Sequence, residues 1–402
     1  MTAKNLLSII ESVNNIITLT EGKMKITNLK IITANKYLFI KLETDKGIIG
    51  LGEAGAWGFL EAVKGVLNKF KVYLIGKDPF NIEDIWNYLY RSMYFRGSVI
   101  MSAISAIDIA LWDIKGKALG VPIYQLLGGP TRNKVRVYDA ILKFTPSEIK
   151  KELIDLKSKG FTAARILITG NGQKNADYSD SIVNSKITKY VERVKLVREL
   201  AGDNFDIILE CHRSLSLPEA MSFVKQVEKY HPMFIEDPIA PDNFEAMSLV
   251  ASKTNIPIAT GERFINIEEF NETYFKHAAI YVRPDVCALG GITAAKKVAA
   301  ISEANYGQIV PHNPLGPVST AACLQIDASV PNLGIQEFPS FYRKENEAKM
   351  LKEPFEVKDG YIKVPDKPGL GIELNEEVLR KMPEAQRSLN AQRAFDGSVC
   401  DI

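Results

Sequence analysis

The runs FDIILEC (205–211), PMFIEDP (232–238) and PIATGE (257–262) decide the fold of this 402-residue chain. Each run is a short apolar stretch of the kind that forms a buried β-strand, and helical segments separate them. Glu210, Glu236 and Glu262 lie at the carboxyl ends of the three runs, at intervals of 26 residues. One strand and one helix occupy about this length, so the pattern predicts repeated βα units and a parallel sheet.

The same pattern extends to both sides of these three runs. Five further runs fit it: VRVYDAIL (135–142), AARILI (163–168), IYVRPDV (280–286), GQIVPHN (307–313) and GIQEF (334–338). Eight units are the number in a TIM-like barrel, so we predict an α/β protein with a modified (β/α)8 barrel. An open doubly wound sheet is the second choice, because no dinucleotide-type glycine loop follows the first strand.

The chain outside the barrel predicts a second, α+β domain. Residues 24–133 begin with alternating strands and continue with helical patterns. Residues 355–402 leave the βα pattern, and we expect them to return to this first domain and complete it as a capping domain. The barrel then occupies 134–354, and residues 1–23 form an N-terminal extension.

Composition excludes several classes of protein. An apolar content of 46% allows a large core, and 50 basic against 48 acidic residues leave a net charge of +2 without the basic clusters that nucleic acid requires. No run of 18 apolar residues predicts a membrane span. The start makes a poor secretory signal, and the four cysteines are scattered (Cys211, Cys287, Cys323 and Cys400), which predicts a reducing, cytoplasmic location.

The three glutamates predict a metal site. In a parallel barrel the active face is the rim at the carboxyl ends of the strands, and neighbouring strands lie about 4.8 Å apart. A single glutamate there is more often a solvated group or an ion pair, but three in phase would repel one another without a cation. Oxygen ligands favour Mg²⁺ or Mn²⁺.

Two of the four histidines are candidates for proton transfer. His212 lies two residues after Glu210 and faces the same pocket, where it could donate a proton. His312 ends the seventh run, and Asp285 at the end of the sixth could hold one of its ring nitrogens and raise its basicity. The other two histidines, His231 and His277, precede strands at the opposite face, where a structural role is expected.

Seven longer motifs carry a family resemblance. From about residue 24 onward the chain resembles the enolase superfamily, in the mandelate racemase branch and its acid-sugar dehydratase group. The motifs are AISAIDIALWDIKGKALGVPIYQLLGG (103–129), FIEDP (234–238), IATGERF (258–264), DVCALGGIT (285–293), HNPLGP (312–317), AACLQIDA (321–328) and VPDKPGLG (364–371).

The resemblance implies a reaction. Glu210, Glu236 and Glu262 would be Mg²⁺ ligands, His312 with Asp285 the base, and His212 the general acid. An aldonate such as D-galactonate, D-gluconate or D-mannonate would lose its C2 proton and then its 3-hydroxyl through an ene-diolate, giving a 2-keto-3-deoxy acid. The branch also implies a homo-oligomer.

Two positions depart from the family pattern. Glu210 occupies a place where the family usually has Asp, which puts the metal geometry in question. Racemases of this branch carry a KxK pair on the second barrel strand, whereas this chain has Arg165, Ile166 and Leu167, and the missing lysines favour dehydration. If Arg165 acts together with Tyr178, as in mannonate dehydratases, mannonate is favoured; if His312 is the only base, galactonate or gluconate is.

Two further residues are candidates for contact with the substrate, and two alternative functions stay open. Trp57 in the loop GEAGAWG (52–58) could cover the sugar chain, or plug the domain interface, and Lys143 could contact distal hydroxyls. The alternatives to a dehydratase are a racemase or epimerase on the same scaffold, and a non-catalytic homologue that binds a metal or a sugar acid.

Overall fold

The computed structural model describes residues 23–55, 58–168, 182–339, 345–385, 392–394 and 396–400. The predicted N-terminal extension lies outside the described residues, apart from Lys23. Within the described parts of the chain, no helix combines the length and the apolar character needed to cross a lipid bilayer.

Among the described residues, the capping domain has strands first and helices after them, as predicted. Three strands form an antiparallel sheet in the order β1, β2, β3, and four helices follow. The elements are β1 (Ile26–Ala34), β2 (Tyr37–Thr44), β3 (Ile49–Ala54), α1 (Leu60–Leu74), α2 (Ile82–Arg91), α3 (Ser98–Leu119) and α4 (Ile123–Leu126).

Helix α3 is the centre of this domain. It is 22 residues long, and apolar or small side chains cover most of its circumference, so it is buried on most sides. Its backbone lies directly against β3: a Cβ built on Gly52 would stand 1.9 Å from the carbonyl oxygen of Ala106. Only glycine permits such a close approach of strand and helix.

Eight parallel strands form the predicted barrel. Hydrogen bonds link β4 through β10 in sequence order, and β11 pairs with β4. A parallel bridge from Ile309 on β10 to Leu333, just before β11, closes the ring. The strands are β4 (Lys134–Ile141), β5 (Ala163–Leu167), β6 (Asp206–Glu210), β7 (Phe234–Glu236), β8 (Ile258–Thr260), β9 (Tyr281–Val282), β10 (Gln308–Ile309) and β11 (Gln336–Glu337).

Helices connect consecutive strands of the barrel. They are α5 (Pro146–Ser158), α6 (Val183–Ala201), α7 (Leu217–Val227), α8 (Phe244–Ala251), α9 (Ile267–Phe275), α10 (Gly291–Ala304) and α11 (Pro317–Ser329). Side chains that include Tyr138, Ile208, Phe234 and Val310 form a separate buried cluster contributed by the strands. The barrel interior is therefore a packed core, and ligands have access only at its rims.

The C-terminal segment contacts both parts of the molecule. Strands β12 (Val357–Lys358) and β13 (Tyr361–Lys363) form a hairpin after the short helix α12 (Glu345–Ala348), and β13 pairs antiparallel with the start of β4. Beyond it, Gly369 bridges to Pro122, and Glu384 bridges to Asn35 after helix α13 (Glu376–Arg380). A last pair, β14 (Gln392–Arg393) and β15 (Val399–Cys400), is antiparallel. The domain boundaries at 133, 134 and 355 stay predictions.

We expect Gly52→Ala to destabilise the capping domain, because the added methyl group would collide with backbone and not with a movable side chain. Overpacking of this kind costs about 1–3 kcal/mol in free energy of unfolding. Gly65→Ala on the open face of α1 is the matched control, and it should stabilise the helix by about 0.5–1 kcal/mol. Urea unfolding followed by circular dichroism measures both, and equal stability of the two variants would contradict this packing.

Candidate active site

Three consecutive strands bring the three predicted glutamates together. Glu210 and Glu236 end β6 and β7 and are partners in the parallel register, and Glu262 follows the end of β8 by two residues. Each offers one carboxylate oxygen, and these oxygens all lie within 4.8 Å of one another. One ion could therefore contact all three carboxylates.

Glu236 is the least satisfied of the three. Its side chain is fully buried, and burial raises the pKa of Glu236 well above its ordinary value. The Arg283 Nε lies 2.6 Å from Glu236 Oε1, but the angles do not form a hydrogen bond, so both oxygens lack a hydrogen-bond donor among the described residues. Buried carboxylate oxygens without donors are suited to coordinate a cation.

The two outer glutamates have partners. The backbone N–H of His212 donates to Glu210 Oε1 at 2.7 Å, and Arg165 Nη1 lies 3.3 Å from Glu210 Oε2. Burial nevertheless raises the pKa of Glu210 to about 7. Burial acts to raise the pKa of Glu262, but the positive charges of His312 and Arg213 act against it. Their effect is the larger, so the pKa of Glu262 lies below its ordinary range.

Arginines compensate only part of the buried negative charge at this rim. The guanidinium of Arg283 is fully buried and contacts Glu236, Glu337 and the hydroxyl of Tyr138. Among the described residues, six carboxylates that are buried or nearly buried lie at this rim (Glu210, Glu236, Asp237, Glu262, Asp285 and Glu337), and three arginines form ion pairs with them (Arg165, Arg213 and Arg283). The carboxylates thus outnumber the guanidinium groups that pair with them, and this imbalance favours a divalent cation at the glutamate cluster.

The structure places His312 and Asp285 as a hydrogen-bonded pair. Their strands β10 and β9 are neighbours, the two residues share a backbone bridge, and His312 Nδ1 donates to Asp285 Oδ2 at 2.9 Å. The other ring nitrogen, Nε2, lies 3.3 Å from Glu262 Oε2. Burial opposes the charged imidazole, but Glu262 and Asp285 outweigh it and raise the pKa of His312.

His212 lies two residues after Glu210, and its backbone N–H donates to that carboxylate. Its backbone and that of Arg213 both have positive φ, 48° and 63°, which turns the chain sharply after β6. Arg213 Nη2 lies 2.8 Å from His212 Nε2, so this nitrogen accepts and the ring proton is on Nδ1. Burial and then the Arg213 charge lower the pKa of His212 to about 4.

Four charged residues of this rim were not predicted as site residues: Asp237, Glu337, Arg213 and Arg283. Glu337 at the end of β11 contacts Arg165 at 3.2 Å, and its Oε2 accepts the backbone N–H of Asn313. Its place at the end of the run GIQEF follows the same rule as the three glutamates, so the signal was present. Arg283 and Arg213 gave no comparable signal, because only contacts between strands show that they are buried against carboxylates.

The remaining predicted residues are less central. Arg165 lies on β5 between Glu210 and Glu337, as described. The ammonium group of Lys143 is 4.0 Å from the exposed Glu148, and the Lys143 side chain is 57% exposed. Trp57 and Tyr178 lie outside the described residues. His231 and His277, both with positive φ, follow α7 and α9 at the opposite face.

Comparisons with known proteins agree with the resemblance in the sequence. Residues 16–128 match the family "Mandelate racemase / muconate lactonizing enzyme, N-terminal domain", and residues 148–378 match "Enolase C-terminal domain-like". A D-galactonate dehydratase from Pectobacterium atrosepticum is 38% identical over 394 residues, which cover 94% of this chain and 100% of the relative.

Solved structures share the fold. A member of the enolase superfamily from Salmonella Typhimurium has a TM-score of 0.82 and 32% identity, covering 90% of this chain and 98% of that one. An enolase from Agrobacterium radiobacter, with bound sodium and L-malate, has a TM-score of 0.85 and 27% identity, covering 93% and 99%. As predicted, the chain belongs to the enolase superfamily, in its mandelate racemase branch and acid-sugar dehydratase group.

Proposed function

We propose that this enzyme dehydrates an aldonate to a 2-keto-3-deoxy acid with the help of Mg²⁺. One observation carries the proposal: a hydrogen-bonded His–Asp pair lies beside Glu262, and a second histidine follows Glu210, so that both are next to the cluster of three glutamates. Loss of water from a hydroxy acid needs a base, an acid and a site for the charge that develops between them.

Glu210, Glu236 and Glu262 would hold the metal. The Glu236 oxygens, which accept no hydrogen bond from the described residues, and the excess of carboxylates fit a hard divalent cation, and no sulfur or imidazole ligand belongs to the cluster among the residues that the structure describes. When bound, Mg²⁺ supplies positive charge that stabilises the substrate carboxylate as its C2 proton leaves.

His312 would take the C2 proton at Nε2. Its Nδ1 proton is held by Asp285, which leaves Nε2 as the nitrogen with a free electron pair and stabilises the imidazolium that forms. This nitrogen lies beside Glu262, so the base stands next to the place where the substrate carboxylate would be bound.

His212 would give a proton to the leaving 3-hydroxyl. The lowered pKa of His212 means that its protonated ring gives up a proton readily. The negative charge of a bound substrate would offset the charge of Arg213 and so favour protonation of His212 before the reaction. Position and burial thus give the two histidines different tasks.

Two observations bear on the substrate. Relatives that are 36–38% identical are named D-galactonate dehydratases, and the structural neighbour from Agrobacterium binds L-malate, which is also a 2-hydroxy acid. With Arg165 ion-paired to two carboxylates and no lysine on β5, a second base for racemisation is missing from the described site. We therefore propose D-galactonate first, then D-gluconate and D-mannonate; the homo-oligomer and the cytoplasmic location also stay predictions.

Removal of the metal should destabilise the protein. At a Mg²⁺ concentration of 100 times Kd, binding adds about 2.7 kcal/mol to the free energy of unfolding, and EDTA should abolish the gain. Glu236→Gln should remove this dependence, and in EDTA it should be at least as stable as the wild type because one buried charge is lost. Exposed Glu148→Gln is the control, and a Glu236→Gln protein that still responds to Mg²⁺ would exclude this ion site.

Activity separates the two histidines. We expect 2-keto-3-deoxy acid from one member of an aldonate panel with Mg²⁺, detected with semicarbazide. His312→Asn should lose both product formation and exchange of the C2 proton with D₂O, by at least about 100-fold. His212→Asn should lose product formation but keep exchange.

The control for both variants is His231→Asn, which is distant from the rim and has a φ of 48° that asparagine tolerates. Its turnover should equal that of the wild type. C2 exchange by the wild type without keto acid would indicate a racemase or epimerase. Metal binding with neither exchange nor product would indicate a binding protein.

A further inference from the structure

We propose that two buried carboxylates of the capping domain, Glu53 and Asp108, are positioning residues for the His312–Asp285 pair. The inference rests on the proposed function for the role of that pair. It concerns residues outside the barrel, more than 170 positions away in the chain from the loops that they hold.

The loops that carry the pair end at helices without caps of their own. His312 lies in the loop between β10 and α11, and Asp285 lies in the loop between β9 and α10. The N-cap residues of these helices are Gly316 and Gly290, and neither has a side chain that could accept the first free backbone N–H groups. An N-terminus that is buried without such an acceptor is unfavourable.

Glu53 supplies the acceptor for α11. It lies on β3 and is fully buried, and its two oxygens accept the backbone N–H groups of Gly316 at 2.6 Å and Ser319 at 2.9 Å. Gly316 is four residues after His312. Two residues after Glu53, the backbone N–H of Gly55 donates to the carbonyl of Cys287 in the Asp285 loop at 2.9 Å.

Asp108 supplies the acceptor for α10. It lies on α3, is 2% exposed, and accepts the backbone N–H of Thr293 at 3.0 Å and the hydroxyl of the same residue at 2.5 Å. One turn earlier on α3, Ser105 Oγ accepts the backbone N–H of Gly290 at 2.8 Å. Within the Asp285 loop, the carboxylate of Asp285 accepts the backbone N–H of Cys287.

Each of the two loops is thus fixed at both ends. At one end it continues a barrel strand, and at the other it leads into a helix whose first N–H groups are bound by the capping domain. The distance between His312 and Asp285 depends on both loops, whereas the three glutamates lie at the ends of β6, β7 and β8, for which the described structure shows no hydrogen bond with Glu53 or Asp108. Loss of a cap should therefore disturb the base and leave the metal cluster in place.

Three variants, each an isosteric replacement of a buried carboxylate by an amide, test whether the base can be disturbed without the metal cluster. Glu53→Gln and Asp108→Asn each keep the volume, remove the charge and replace one acceptor by a donor. Asp113→Asn is the matched control: Asp113 is also on α3 and fully buried, but it accepts the N–H groups of Leu51 and Leu370, neither of which is in the loops of the pair. All three should lose stability.

Only Glu53→Gln and Asp108→Asn should change the environment of His312. The readout is the Nδ1 proton of His312 in the NMR spectrum of ¹⁵N-histidine protein, which has only four histidines, assigned with His312→Asn. We expect this signal to shift or broaden in Glu53→Gln and Asp108→Asn and to stay unchanged in Asp113→Asn. In the same two variants kcat and C2 exchange should fall about 10- to 100-fold, with KM and Mg²⁺ affinity changed less than about threefold.

If Glu53→Gln does not fold, Gly316→Ala takes its place. The new Cβ would stand 2.6 Å from Glu53 Oε1 and should push that carboxylate away without changing its charge. A His312 signal and kcat equal to those of Asp113→Asn would overturn the proposal. A wild type that converts no aldonate would overturn the proposed function, while the NMR comparison would still decide the positioning role.

Discussion

Six carboxylates lie at one rim of the barrel, and only three guanidinium groups form ion pairs with them. The rest of the site depends on this imbalance of charge. Burial of an anion is costly unless a cation or a hydrogen-bond donor compensates it. Arg283 is the extreme case, because its guanidinium is completely buried and links β7, β11 and Tyr138 of β4. The barrel core is thus partly held together by the charges that the site requires.

The two histidines differ because the same charges act on them unequally. His312 lies between Asp285 and Glu262, so that negative neighbours favour its protonated form. His212 lies beside Arg213, which favours the neutral form. One histidine is suited to accept a proton and the other to give one away, and this asymmetry fits dehydration better than a racemisation with two equivalent bases.

The capping domain contributes to the site without adding charge to the glutamate cluster. Its carboxylates accept backbone N–H groups at the starts of α10 and α11, and its glycines allow β3 and α3 to pack closely. The barrel and the domain are in this way parts of one hydrogen-bonded structure. A barrel alone would leave the starts of those two helices unsatisfied.

The sequence by itself determined the barrel, the order of its strands and the residues at the strand ends. These follow from apolar runs that recur with one βα period, and from the rule that parallel strands end at the same rim; Glu210, Glu236, Glu262, Asp285 and His312 were found in this way. Glu337 lies at the end of its run by the same rule, but it was not among the predicted site residues.

Only the tertiary structure decided which charges compensate one another. Arg213 and Arg283 contact carboxylates 24 to 54 positions away, and Glu53 and Asp108 contact helices that begin more than 170 positions away. No local period relates such positions. Their partners are set by how strands and domains pack, because the energy of a buried charge depends on what surrounds it in space and not on its neighbours along the chain.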